Sequence, residues 1–182
     1  MMAFVRNPFS KKIFEKIINR DIIDTILNYS EVSVDENWEK HISPDYFPIS
    51  DISQYAHAKN KNLVSFKDLG IAEKLLSEIK NIYSHHDVRV SGHFYYPPTG
   101  FMGWHTNYDQ PGHRLYITYS SENNKSFFRY RNRGENQIMT DYDDKGITIR
   151  EFLVPYKKPY FWHCVGSECD RISFGFCLTK KL

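Results

Sequence analysis

Apolar residues recur along this chain with two different periods, and the change from one to the other divides it. Ile13, Ile17, Ile18, Ile22 and Ile26 follow one another at helical spacing. They predict a helix capped by Ser10 and ending near Asn28 to Ser30, where polar, cap-prone residues gather. Leu75, Leu76, Ile79 and Tyr83 repeat the pattern and predict a second helix over residues 72–83. Between the two, residues 31–62 are mixed and punctuated by Pro44 and Pro48, which reads as loop with room for one short strand. After His85 the period shortens to two. Strands are expected at residues 88–90 running into 93–96, then at 114–119, 126–130, 148–154, 160–165 and 171–178. Turn signals separate them: residues 97–100, 123–124, 132–134, 143–146, 157–159 and 166–170. Many short strands at this spacing suggest a sandwich or barrel, a set that includes jelly rolls.

Bulk properties narrow the reading. A chain of 182 residues fits one domain, with residues 1–87 as a helical support region and 88–182 as the β-rich core. Aromatic residues make up 16% of the chain, which favours large side chains packed between sheets. The formal charge of +2 indicates neither a nucleic-acid footprint nor its opposite. Three cysteines with no C-x-x-C pair argue against a disulfide framework or zinc ribbon and for a reducing compartment. The N-terminal residues lack a continuous apolar core, so a soluble cytoplasmic protein without a membrane span is expected.

The chemistry-bearing residues lie in the second half. Tyr96-Pro-Pro-Thr-Gly-Phe-Met-Gly-Trp-His105-Thr-Asn107 is followed by Phe161-Trp162-His163 and then by Arg171-Ile172-Ser173. A non-haem ferrous site usually draws two histidines and one carboxylate onto one face of the metal, leaving open positions for a chelating co-substrate and O₂. Residues two apart at a strand end face the same way, so the 105 and 107 positions can act together. Arg171, past a polar turn from His163, falls on the next antiparallel strand, and its planar fork suits a carboxylate. Ser173 faces the same way and adds a hydroxyl.

This stretch resembles the Fe(II)/2-oxoglutarate-dependent dioxygenase superfamily, in its prolyl-4-hydroxylase-like branch. The family pattern runs from a tyrosine before a Pro/Gly turn to His-x-Asp, a distal His, and Arg-x-Ser on the last core strand. Tyr96, His105, His163, Arg171 and Ser173 match it over roughly the C-terminal half of the chain. The resemblance implies an α+β, mainly β fold: a double-stranded β-helix (jelly roll) core buttressed by the N-terminal helices. It implies Fe(II) as the metal, 2-oxoglutarate as co-substrate and O₂ as oxidant, with hydroxylation of a C–H bond in a substrate still to be identified, a peptidyl residue or a small molecule. His105, Asn107 and His163 are then the metal positions, with no further catalytic residue. Arg171, Ser173, Tyr96 and one tyrosine of the 114–119 strand line the co-substrate. Tyr116 and Tyr119 face opposite ways by parity, and Tyr119 is the one expected in the pocket.

The departure from the family is Asn107, which stands where the carboxylate should be. Several arrangements are open: Asn107 ligates through its amide oxygen or sits behind a water, Asp109 swings in, or the site is impaired and the domain binds without turnover. A family branch that halogenates uses a smaller residue here. Other residues have plainer roles. Trp104 and Trp162 are expected in the core, Cys164 as a buried, inert thiol, and His93 and His113 as a packed and an exposed histidine. Arg114, Arg129, Arg131 and Arg133 are expected on a solvated surface.

Overall fold

Polar residues between apolar runs decide where the helices stop. In this computed structural model, which describes residues 4–7, 11–28, 34–45, 55–66, 70–131 and 137–181, the isoleucine-rich stretch forms two helices rather than one: α1 (Lys11–Ile17) and α2 (Arg20–Leu27). Asn19 divides them, because its side chain accepts a hydrogen bond from the Ile22 amide and caps α2. α2 ends with Asn28 as its C-cap. The expected cap Ser10, the tail of the expected helix end at Tyr29 and Ser30, Pro48, and the turn at 132–134 with Arg133 lie outside the described residues. A five-residue helix, α3 (Trp38–Ile42), stands in the stretch read as loop and buries Trp38 and Ile42. α4 (Ile71–Ile82) buries Ile71, Leu75 and Ile79 along one face, as the periodicity predicts. No helix among the described residues is long and apolar enough to cross a membrane.

The strands are β1 (Val5–Arg6), β2 (Lys61–Asn62), β3 (His86–Tyr96), β4 (Gly100–His105), β5 (Gly112–Ser120), β6 (Ser126–Arg131), β7 (Ile138–Tyr142), β8 (Gly146–Val154), β9 (His163–Ser167) and β10 (Arg171–Lys180). They form two antiparallel five-stranded sheets, ordered β1-β8-β5-β10-β3 and β2-β4-β9-β6-β7, the jelly-roll arrangement expected. Alternation assigns each face of the first sheet. Ile172, Phe174 and Phe176 of β10, Leu115 and Ile117 of β5, and Ile147 and Ile149 of β8 pack against Phe14, Ile23, Ile26, Leu75 and Ile79 of the helices. The intervening residues therefore face the second sheet.

Between the sheets lies a second apolar cluster of Tyr96, Phe128, Phe152, Val154, Phe161 and Val165. A third covers the outer face of the second sheet, where Trp38 and Ile42 of α3 meet Phe101, Trp104, Phe127, Trp162 and Cys164. Trp104, Trp162 and Cys164 are thus packing residues, and burial raises the Cys164 thiol well above its ordinary pKa.

β4 was hidden in the sequence by its two glycines. The turn before it closes with Gly100 N–H donating to Pro97 O at 2.7 Å, and a Cβ at Gly100 would stand 2.6 Å from that same oxygen. A register shift between Met102 and His105 then acts as a bulge. It returns His105 to the inner face beside Met102 despite their odd spacing.

Candidate active site

The bulge makes His105 of β4 the direct cross-strand partner of His163 on β9. Their ring centroids are 4.1 Å apart, and both residues are buried. His105 Nδ1 lies 2.8 Å from Gly103 O, and His163 Nδ1 lies 3.0 Å from Phe161 O. A carbonyl can only accept, so each Nδ1 carries the proton and each Nε2 is the lone-pair nitrogen. Burial lowers the pKa of His105 to about 4. Burial and the neighbouring His105 hold His163 well below the ordinary histidine value. Two neutral imidazoles, each fixed by a backbone carbonyl, are in the state that ligates a metal ion.

Asn107 follows in the loop after β4 with φ of 51°, a left-handed conformation that asparagine tolerates. Its side-chain nitrogen is 3.2 Å from His163 Nε2, and its side chain partly opposes the rise that burial imposes on the Tyr116 phenol pKa. The loop thus brings residue 107 to the histidine pair, as the spacing suggests, but what arrives is a neutral amide. Asp109 is exposed. Among the described residues no group of three His, Cys, Asp or Glu is placed to hold a metal.

On the facing sheet, Arg171 opens β10 almost fully buried. Its Nε donates to Asp143 Oδ2 at 3.0 Å and its Nη2 to Thr118 Oγ1 at 3.3 Å. The guanidinium lies over the Tyr96 ring, 4.8 Å from the centroid. Its Nη1 is buried without a hydrogen-bond partner. Asp143 is shared: Arg150 donates to its other oxygen, and Ser126 donates to Oδ2 at 2.5 Å. Burial would raise that carboxyl, but Arg150 and Arg171 overrule it and hold it far below the ordinary carboxylate range. The two arginines are therefore locked by one buried carboxylate, with Nη1 of Arg171 left without a partner.

A cavity of about 150 Å³ lies between the sheets. His105, His163 and Asn107 line it from one side, Ser173, Gly175, Tyr116 and Arg114 from the other, and Tyr96 and Phe94 at one end. Burial pushes the Tyr96 phenol up to about 12, with Arg171 partly opposing, so it stays a donor at neutral pH.

Comparison of the sequence with protein-family models and with curated proteins gives no match. Comparison of the structure does. A prolyl-4-hydroxylase from Pseudomonas putida superposes with a TM-score of 0.56 at 10% identity, covering 99% of this chain and 92% of that one. A prolyl hydroxylase from Trichoplax adhaerens, in complex with a hypoxia inducible factor oxygen degradation domain peptide fragment, gives 0.52 at 9% identity, covering 98% and 83%. The chain has the prolyl hydroxylase fold.

Of the expected site residues, His105, Asn107, His163, Ser173 and Tyr96 line the cavity, Arg171 lies over the Tyr96 ring without lining it, and Tyr119 is elsewhere. Tyr119 pairs with Ile172 and packs against the helix-side cluster, so it lies on the wrong face of β5. Tyr116, opposite Gly175, is the tyrosine that lines the cavity, and burial raises its phenol pKa. Parity correctly restricted the choice to one of the two, but which face looks inward is decided by where the helices dock. The arginine cluster also divides. Arg129 lies over Phe127, 4.4 Å from the ring centroid, and donates to Ile42 O. Arg114 is buried at 2% exposure and lines the cavity of the prolyl hydroxylase fold. Its alternation with Tyr116 and Thr118 was the available signal. Nothing in Asp143-Asp-Lys-Gly, which reads as a turn, announces the carboxylate under Arg171.

Proposed function

We propose that this chain is an Fe(II)- and 2-oxoglutarate-dependent dioxygenase whose reaction is hydroxylation. The observation that carries this reading is a cavity lined by two neutral imidazoles, each with Nδ1 held by a backbone carbonyl, and by Tyr96, whose ring lies under the Arg171 guanidinium with its buried, unpartnered Nη1. The donor set fits ferrous iron in its two neutral imidazoles and departs from the usual set in its third member. His105 and His163 would hold the metal, and Asn107 would complete the set through its side-chain oxygen. The chemistry such a centre supplies is activation of O₂ at the expense of 2-oxoglutarate, which leaves as succinate and CO₂ while one C–H bond of the substrate gains an oxygen atom.

The protein's own part is binding and orientation. Asp143 and Thr118 engage Nε and Nη2 of Arg171, so the fork presents Nη1 and cannot turn away. A distal carboxylate of the co-substrate satisfies that donor, which otherwise bears a desolvation cost. Ser173 and the protonated Tyr96 add neutral donors along the same wall. The substrate is a peptidyl residue or a small molecule, and the peptide held by the Trichoplax enzyme is the support for the former.

A second reading rests on one contact. The Asn107 amide nitrogen approaches the His163 lone pair that a metal would use, an arrangement suited to a binding module without turnover. Anaerobic addition of Fe(II) and 2-oxoglutarate separates the readings. The dioxygenase should develop a weak visible charge-transfer band and release succinate in air. Absence of both rejects the dioxygenase, while a band without succinate favours the binding module.

A further inference from the structure

Among the described residues three arginine side chains are fully buried: Arg114, Arg150 and Arg171. Arg150 pairs with Asp141 at 2.6 Å and with Asp143, and Arg171 pairs with Asp143. Arg114 has no carboxylate within 4.0 Å among the described residues. Its guanidinium donates to Cys177 Sγ and to the Gln110 carbonyl, neither of them a carboxylate. Asp109 acts on it only at longer range and is exposed. A guanidinium has five N–H donors and a charge that cannot be given up by deprotonation, and burying such a charge without a counter-ion is costly.

The cavity has the same imbalance. Its lining contains Arg114 and no Asp or Glu. An aspartate at position 107 would have put a carboxylate in that wall, but Asn107 leaves it neutral. On the dioxygenase reading, the two positive charges of ferrous iron are matched by the 2-oxoglutarate dianion, and Arg171 is matched by Asp143. The charge of Arg114 is left over. We propose that Arg114 is the substrate-recognition residue of this site and that the substrate carries a carboxylate which pairs with it. The position supports this: Arg114 sits on the same face of β5 as Tyr116, and both line the cavity together with His105, Asn107 and His163. An anion held there shares the cavity with the histidine pair, whereas Arg171 is not part of the cavity lining.

This inference rests on the dioxygenase reading only in assigning the carboxylate to the substrate and not to the co-substrate, and one experiment separates the two. Full-length wild type, Arg114→Met and Arg171→Gln are each titrated calorimetrically with propanoate, with propanamide, and under argon with 2-oxoglutarate plus Fe(II). Propanoate should bind wild type and Arg171→Gln at millimolar concentration, propanamide should not, and Arg114→Met should lose at least tenfold in propanoate affinity while retaining 2-oxoglutarate. Equal propanoate affinity in Arg114→Met and wild type, its loss in Arg171→Gln alone, or no propanoate binding to wild type overturns the proposal. Failure of 2-oxoglutarate to bind any of the proteins overturns the dioxygenase reading and leaves the Arg114 result to stand on the propanoate data. If Arg114→Met does not fold, the through-bond-assigned Nε–H resonance of Arg114 in wild type decides. It should shift with propanoate and stay still with propanamide, and an unmoved resonance overturns the proposal.

Discussion

Two imidazoles with centroids 4.1 Å apart can share a buried cavity only while both are neutral. In the unfolded chain each titrates near 6.5, roughly the value for a free histidine, whereas burial lowers folded His105 to about 4 and holds His163 well below the ordinary histidine value. Below the unfolded pKa the unfolded state binds more protons than the folded one. The stability contributed by this pair is therefore complete above that pKa and is lost as pH falls toward the folded values, by about 1.4 kcal/mol per pH unit for each group. Chemical denaturation of metal-free protein should show its midpoint dropping between neutral pH and pH about 5. His105→Gln should flatten that slope, and an unchanged slope would mean that the histidines are not the groups being protonated.

Residue 107 gives a second handle at this scale. Asn107→Asp restores a negative charge next to His163 Nε2 and should tighten Fe(II) or Co(II) binding at least tenfold, equivalent to about 1.4 kcal/mol. Metal titration followed by calorimetry checks it, and unchanged affinity would remove residue 107 from the metal's surroundings. Such residue-level chemistry was legible in part. His105, His163, Arg171 and Ser173 could be read because they match a family pattern, and parity puts Arg171 and Ser173 on one face of β10. Arg114 was harder to read: alternation puts it on one face with Tyr116 and Thr118, but a charged residue reads as surface until the inward face of β5 is known.

At the scale of elements, packing around β9 sets the position of His163. Gly166, on that strand, faces α3, and a Cβ there would come within 2.4 Å of Ile42 Cδ1 and 2.6 Å of Phe127 Cζ. Gly166→Ala should therefore destabilise the protein by about 1–3 kcal/mol through overpacking, read as a lower midpoint in urea. An unaffected midpoint would show that α3 does not press on the sheet. The strands most legible in the sequence, β5, β6, β8 and β10, are those whose apolar side alternates cleanly. β4 was missed because its bulge and two glycines break the alternation, and α3 because five residues are too few to display a helical period. The break at Asn19 was invisible for the opposite reason: the isoleucine spacing runs on across it, and only the cap geometry reveals the division.

At the scale of the whole molecule, helices, two sheets and the clusters between them follow from one alternation read on both faces. The fold class was legible because the change of period near His85 is strong. What could not be read is long-range: Asp143, from the β7–β8 turn, reaches Arg171 on β10, and Arg6 of β1 bonds Asp141 at 2.9 Å and Asp144 at 3.1 Å. These contacts join segments far apart in the chain, and no local pattern encodes them.

The histidine pair belongs to one sheet, while Arg171, Ser173 and Tyr116 belong to the other. An occupant touching both sets acts as a rivet through two plates, so filling the cavity should suppress the separation of the plates as a mechanical mode. Amide hydrogen exchange should then slow together in β4, β9 and β10 when Fe(II) and 2-oxoglutarate are added anaerobically, with α1 and α2 unchanged. Slowing confined to β4 and β9 would mean that the metal is held but the plates are not joined.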